Sequence, residues 1–91
     1  MTSVEVVFRD RYGLHPRAAM RIQQEAARFR SAVTIQGVGS GGPPVGASSM
    51  ISMVGAGIRN GDTVRVAAEG EDAAEAVAAI ERLIDSGVCH P

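Results

Sequence analysis

The residues best suited to chemistry stand in one short run, GLHPRAAM, at positions 13–20. His15 is one of two histidines in the chain, and Pro16 and Arg17 follow it directly. Proline is favoured at the first position of a helix, where its missing N–H is not needed. The run therefore predicts a helix that begins at Pro16, with His15 as its N-cap. Histidine is an uncommon N-cap, which indicates that something other than helix stability determines the residue at this position.

A histidine at the start of a helix is suited to carrying a phosphoryl group. The unpaired N–H groups and partial positive charge of a helix N-terminus stabilise negative charge placed there. Arg17 could add a charge-assisted hydrogen bond to the phosphate. The same residues also fit a plainer interpretation, in which His15 is structural and Arg17 is a solvated charge. The local pattern alone leaves both open.

Other chemistries find less support in the sequence. Cys89 and His90 stand in the last residues and form no recognisable metal-ligand spacing with His15, so no metal site is predicted. No histidine has an evident nucleophile and orienting acid beside it, which argues against hydrolysis. A single cysteine cannot form an internal disulfide.

Length and composition predict one small domain. The chain has 91 residues, 21% of them charged, and a net charge of −1, which argues against nucleic-acid binding through phosphate contacts. A charge appears by Glu5, so the N-terminus does not resemble a signal peptide. No apolar stretch is long enough to insert into a membrane. We expect a cytoplasmic protein with one domain over residues 1–88 and a short tail over 89–91.

The remaining sequence alternates between strand and helix patterns. Valine-rich or alternating runs predict strands, apolar residues at helical spacing predict helices, and the glycine- and proline-rich stretch predicts a loose hairpin that leads into a short, irregular strand. The element order indicates an α+β fold in which three helices cover one face of a small, mostly antiparallel, four-stranded sheet. The strands are predicted at 4–8, 32–36, within 37–46 and at 63–69. The helices are predicted from 16 onward, over 48–58 with an end near Gly55 or Gly57, and over 71–87. In the third helix, Glu71 and Asp72 are expected in the first turn and Gly87 after the last turn.

Three motifs together resemble one known family. GLHPRAAM is similar to the active-site signature of HPr, the histidine-containing phosphocarrier of the bacterial phosphoenolpyruvate-dependent sugar phosphotransferase system. SSMISMVGAGI, at 48–58, resembles the second signature of that family, and NGDTVRVAAEGEDAAEAVAAIERLI, at 60–84, resembles its last strand and helix. The likeness covers nearly the whole chain in order. It implies the open-faced β-sandwich of that family.

The resemblance implies a role for each residue of the first motif. His15 matches the histidine that accepts a phosphoryl group on Nδ1 from phosphorylated enzyme I and passes it to the IIA unit of a sugar transporter. Arg17 and the helix start, with the positions of Pro16 and Ala18, match the phosphate-binding residues. Such a protein is a carrier, more a substrate of its partners than an enzyme, and needs no cofactor.

The second motif implies regulation and partner docking. Ser49 matches the serine that a regulatory kinase modifies in some relatives, although its ordinary role would be a helix N-cap. Met50, Ile51 and Met53 match the apolar patch that docks partners, and Met20 is assigned to the same surface. Because these residues have helical spacing, we expect plain core packing for about half of those in the second motif.

Three positions depart from the pattern of the family. Pro16 replaces a small or hydroxyl residue and removes one backbone donor from the phosphate site. Ala18 stands where proline is common, and Ser52 stands where glycine is frequent in the second motif. Two alternatives stay open. One is a regulatory phosphocarrier of the nitrogen-related branch or of a dihydroxyacetone kinase system, and the other is a binding module without phosphoryl transfer.

Overall fold

Four antiparallel strands form one sheet in the computed structural model, which describes residues 1–39 and 42–87. The strands lie side by side in the order β1-β4-β2-β3, and the helices pack against the sheet and one another. The predicted α+β fold and the predicted order of elements are therefore confirmed. The elements are β1 (Thr2–Val7), α1 (Pro16–Ala26), β2 (Ala32–Gly37), β3 (Val45–Gly46), α2 (Met50–Gly55), β4 (Thr63–Glu69) and α3 (Ala73–Asp85).

The sheet buries one face, as the alternation of its residues requires. On β1, Val6 is buried while Glu5 is exposed, and the pairing register sets Val6 opposite Val64 of β4. Successive side chains of a strand point to opposite faces, so the valines of both strands point into the same core. On the other face, Glu5 forms an exposed salt bridge with Arg65 at 2.9 Å. The sheet is thus open on one side.

The third helix begins later than the sequence predicts. Its first residue is Ala73, so Glu71 and Asp72 do not lie in its first turn. Asp72 is the N-cap residue, and its carboxylate accepts hydrogen bonds from Arg30 and Ser31 instead of capping its own helix. These tertiary contacts hold Asp72 outside the helix. At the other end, Gly87 has φ +89°, which agrees with its predicted place after the helix.

A glycine sets the path of the chain just before the first helix. Gly13 has φ +73°, and a Cβ added there would lie 2.7 Å from the carbonyl oxygen of Ile58. The next residue, Leu14, donates its N–H to that same carbonyl at 2.9 Å. Only glycine allows this close approach. The loop before His15 is therefore fixed to the segment that precedes β4.

Two predictions concern the ends of the chain and its hairpin. The tail over 89–91, with Cys89 and His90, lies outside the described residues, as do residues 40 and 41 of the predicted hairpin. The short, irregular strand that the hairpin was predicted to lead into is β3, which pairs with β2. Within 1–39 and 42–87, each helix is too short or too polar to cross a membrane.

Candidate functional site

His15 caps the first helix through its own side chain. Its backbone is extended, with φ −90° and ψ 175°, and Pro16 is the first helical residue. The Nδ1 atom of His15 accepts a hydrogen bond from the N–H of Arg17 at 3.2 Å. The side chain is 25% exposed, so solvent or a partner can reach the ring. The predicted N-cap is confirmed, and the capping atom is a ring nitrogen.

A buried carboxylate that the sequence analysis did not single out lies beside the ring. The Oδ1 atom of Asp10 is 3.5 Å from Nε2 of His15, and the Asp10 side chain has no exposed surface. The same Oδ1 accepts a hydrogen bond from the N–H of Tyr12 at 3.0 Å, which makes a turn closed by an aspartate side chain. The run RDRYG was the available sequence signal for this turn, but the burial of Asp10 beside His15 depends on the tertiary fold.

Tyr12 lies at the edge of the site. Its ring meets the His15 ring edge-on, with centroids 6.0 Å apart and planes at 71°. Tyr12 is 70% exposed, and the guanidinium of Arg11 lies 5.8 Å from the centroid of its ring. The histidine thus opens onto a surface that carries an aromatic ring and a cation.

The other predicted phosphate-binding residues occupy the first turn of α1. Pro16 and Arg17 are exposed, whereas Ala18 is fully buried. Ala18 can therefore contribute only its backbone N–H. The first N–H groups of a helix have no partner within the helix. The structure brings the N–H groups of Arg17 and Ala18 to the helix end beside His15, with Pro16 supplying none.

Ser49 caps the second helix. Its Oγ accepts a hydrogen bond from the N–H of Ser52 at 3.2 Å and donates one to the Oγ of Ser52 at 2.9 Å. The expected N-cap role is confirmed. The hydroxyl of Ser49 is engaged in the cap. Because Ser49 is half-buried, this hydroxyl still lies near the surface.

The structure separates the predicted docking residues into surface and core. Ile51 is 83% exposed and Met20 is 47% exposed, while Met50 is half-buried. Met53 is fully buried among the core residues, so its assignment to a docking surface is wrong. The core packing expected for about half of the second-motif residues applies to Met53 because it lies on the inner face of α2. We call the surface set the apolar patch and define it as Met20, Met50, Ile51 and Val54, of which Met50 is half-buried.

A side-chain contact joins the two helices that carry the apolar patch. Nε2 of Gln23, on α1, donates to the carbonyl oxygen of Ser48, just before α2, at 3.0 Å. The two helices also pack directly against each other. Val54, 37% exposed, was missed because valine on a short helix is indistinguishable in sequence from a core residue. The first motif, at 13–20, and the second motif, at 48–58, thus lie on neighbouring helices.

No group of three or more His, Cys, Asp or Glu side chains within 1–39 and 42–87 could hold a metal ion. The dyad of Asp10 and His15 supplies two such groups, which leaves it short of a typical site.

Comparisons with known proteins agree with this architecture. A family model described as "PTS HPr component phosphorylation site" matches residues 2–86. The phosphocarrier protein HPr of Mycoplasma genitalium is 32% identical over 93% of this chain and 94% of its own. The crystal structure of HPr-C-His from Thermoanaerobacter tengcongensis superposes with a TM-score of 0.85 at 31% identity, covering 94% of this chain and 93% of that one.

Longer relatives match as well. The multiphosphoryl transfer protein of Salmonella typhimurium is 33% identical over 94% of this chain, which spans 23% of that relative's length. The matched HPr structures have the open-faced β-sandwich fold described above. The fold and the matched family define an HPr-type domain. The chain belongs to the HPr family of phosphocarriers of the phosphotransferase system.

Proposed function

We propose that His15 accepts a phosphoryl group on Nδ1 from phosphorylated enzyme I and passes it to the IIA unit of a sugar transporter, in the cytoplasm. The observation that carries this proposal is the position of Nδ1. It lies at a helix N-terminus, 3.2 Å from the N–H of Arg17, on a ring that is partly exposed. An accepting nitrogen and the groups that stabilise its phosphorylated form are thereby in one place.

The transfer exchanges one phosphorus–nitrogen bond for another. The lone pair of Nδ1 attacks the phosphorus of a donor phosphohistidine, and the broken bond returns its electron pair to the donor nitrogen. In the resting structure this lone pair accepts the N–H of Arg17 at 3.2 Å, a long hydrogen bond that costs little to release. Once Nδ1 carries the phosphoryl group, that N–H can donate to a phosphate oxygen.

The apolar patch is proposed to dock both partners. Its most exposed member, Ile51, stands on α2 beside α1, the helix that His15 caps. Exposed methionine adapts to differently shaped surfaces, which suits a carrier that meets a donor and an acceptor in turn. Ser49, at the start of the same helix, is the proposed site for a regulatory serine kinase.

The central experiment is phosphorylation by enzyme I and phosphoenolpyruvate, followed by intact mass measurement. The parent is expected to gain one phosphoryl group that is labile in acid and stable in base, and His15→Ala is expected to gain none. An acid-labile phosphate on His15→Ala would rule out the assignment.

Arg17→Ala tests the phosphate contact in the same assay. It should slow transfer because it removes a charge-assisted hydrogen bond worth about 1.5–3 kcal/mol. Arg21→Ala, an exposed arginine of the same helix, is the matched control and should transfer normally. Equal rates in the two variants would remove the Arg17 side chain from the site.

A further inference from the structure

We infer that Asp10 is a positioning residue for His15, whose buried carboxylate holds the ring through Nε2 and stabilises the positive charge that the ring gains when Nδ1 takes a phosphoryl group. This inference rests on the proposed function, because it assigns a role within the same transfer. It concerns an aspartate in the loop after β1, outside the motifs that identified the family.

The contacts of the two ring nitrogens define which one carries the proton. A neutral imidazole has one N–H and one accepting nitrogen. Because Nδ1 accepts from the N–H of Arg17, the proton of the neutral ring belongs on Nε2. Nε2 is the atom that lies 3.5 Å from Oδ1 of Asp10. A negative charge beside Nε2 favours this tautomer, which leaves the lone pair on Nδ1.

The carboxylate is held in place before any reaction. The N–H of Tyr12 donates to Oδ1 of Asp10 at 3.0 Å, and the N–H of Gly13 donates to its backbone carbonyl at 2.9 Å. Upstream, the N–H of Phe8 donates to the carbonyl of Asp62, and the carbonyl of Phe8 accepts from Gly61, both at 2.8 Å. The loop is therefore fixed at both ends. Asp10 does not need to be ordered by the incoming phosphate.

The charge balance of the transfer gives the carboxylate its role. When Nδ1 forms its bond to phosphorus, Nε2 keeps its proton, and the ring acquires a positive charge. The two nitrogens point away from each other, so Asp10 faces the positive ring while the phosphoryl group lies toward the start of α1. A charge on a fully buried side chain is poorly screened by solvent. Asp10 therefore favours the transition state on the side opposite the phosphate.

The neighbouring charged groups cannot replace this carboxylate. The start of the first helix supplies Arg17, and the loop before it supplies Arg11, both of which are cations. The carboxylate of Glu25 lies in the last turn of that helix, where it binds Arg28 at 2.6 Å. The second helix has no titratable side chain. The segment packed against Gly13 carries Arg59, whose N–H is bound by the carboxylate of Asp62 at 2.9 Å. Tyr12, whose ring lies against the His15 ring, presents an aromatic edge.

Asp10→Asn separates the charge from the turn. Asparagine keeps an oxygen that accepts the N–H of Tyr12 and fits the same space, but it carries no charge. Asp62→Asn is the matched control, because it removes one carboxylate that also binds a backbone N–H in a neighbouring loop. Potassium phosphoramidate serves as the donor, so that ammonia is the leaving group and no protein partner is needed.

The first readout is the rate of phosphorylation of His15 by phosphoramidate. We expect Asp10→Asn to react at least about fivefold more slowly, the effect of one favourable charge contact at this separation even in water-like surroundings. Asp62→Asn should react at the parent rate. A parent-like rate for Asp10→Asn would overturn the inference.

The second readout is the pH profile of phosphate loss, which a purely structural role would leave unchanged in shape. Phosphohistidine is acid-labile, and its ring proton on Nε2 is the one that faces Asp10. In Asp10→Asn the pH below which phosphate loss is fast should be lower than in the parent, while Asp62→Asn keeps the parent profile. Identical profiles in all three proteins would count against Asp10.

A third measurement keeps the inference separate from the proposed function. Nitrogen-15 spectra of the unphosphorylated parent above neutral pH should show the proton of His15 on Nε2. A proton on Nδ1 would overturn the role of Asp10, even if Asp10→Asn failed to fold. A parent that accepts phosphate from phosphoramidate but not from enzyme I would refute the proposed function, while these readouts would still decide the role of Asp10.

Discussion

Pro16 has two opposing effects on the reactive histidine. As the first residue of α1 it fixes φ near the helical value, and it supplies no N–H toward a phosphate on His15. Pro16→Ala should lower the free energy of unfolding by about 0.4–1 kcal/mol, because the unfolded chain gains freedom. It also restores an N–H, and a hydrogen bond to a charged group contributes about 1.5–3 kcal/mol.

We therefore expect phospho-His15 to lose its phosphate more slowly in Pro16→Ala than in the parent, while the unphosphorylated variant melts slightly earlier. The measurement is a time course of phosphate loss at fixed pH, beside thermal melts of both unphosphorylated proteins. Pro43→Ala, an exposed proline distant in sequence, controls for the general effect of losing a proline. Equal or faster phosphate loss in Pro16→Ala would mean that the amide at residue 16 does not face the phosphate.

At this scale the sequence indicated His15 but not its neighbour. The N-cap could be predicted because proline at the first helical position is a local signal. Asp10 could not, since a strand end followed by charged residues is ordinarily a solvated turn. The loop that carries Asp10 is packed at Gly13 against the segment after α2, which is a contact across the chain. A local sequence pattern can predict a helix cap, but it cannot predict such a contact between distant segments.

The second helix couples a cap to the apolar patch. Ser49 accepts the N–H of Ser52, and aspartate can make the same bond while adding a charge that favours a helix N-terminus by about 0.3–1 kcal/mol. Ser49→Asp should therefore be at least as stable as the parent. The added charge opposes burial of the adjacent Met50 and Ile51 by a partner, so phosphoryl acceptance from enzyme I should slow.

Thermal melts and enzyme I kinetics test both halves of this prediction. Ser3→Asp, on the exposed face of β1, adds the same charge away from the helices and should accept phosphate at the parent rate. Acceptance from phosphoramidate should not change in Ser49→Asp, because no docking is involved. A less stable Ser49→Asp with normal acceptance from enzyme I would contradict the coupling.

At the scale of the whole molecule, the element types were predictable and their arrangement was less so. Strand β4 alternates buried Val64 and Val66 with exposed Arg65, which sets its type and its inner face. Its place between β1 and β2 follows from backbone pairing that no local pattern specifies. The predicted start of α3 was too early for a similar reason. Asp72 stands next to good helix formers in the sequence, but its carboxylate is bound by Ser31, which is distant in sequence.

That contact joins distant parts of the chain. The carboxylate of Asp72 accepts the hydroxyl of Ser31 at 2.5 Å and the N–H groups of Ser31 and Arg30, each at 2.9 Å. Gly70, with φ +149°, lets the chain pass so close that an added Cβ would lie 2.6 Å from Oγ of Ser31. The start of α3 is thereby fastened to the connection between α1 and β2.

The acid stability of the protein should reflect this carboxylate. The hydrogen bond from the Ser31 hydroxyl, followed by that from the N–H of Arg30, lowers the pKa of Asp72 below its ordinary value of 3.8. The unfolded chain then binds the proton more readily, so the stabilisation is complete above the ordinary value and is lost as pH falls through the folded pKa.

We expect Asp72→Asn to unfold more easily than the parent at neutral pH and to lose less further stability on acidification. Urea unfolding at neutral and acidic pH measures both, and Glu71→Gln, which removes the adjacent exposed carboxylate, is the control. Equal acid sensitivity of Asp72→Asn and the parent would show that the carboxylate does not fasten the helix.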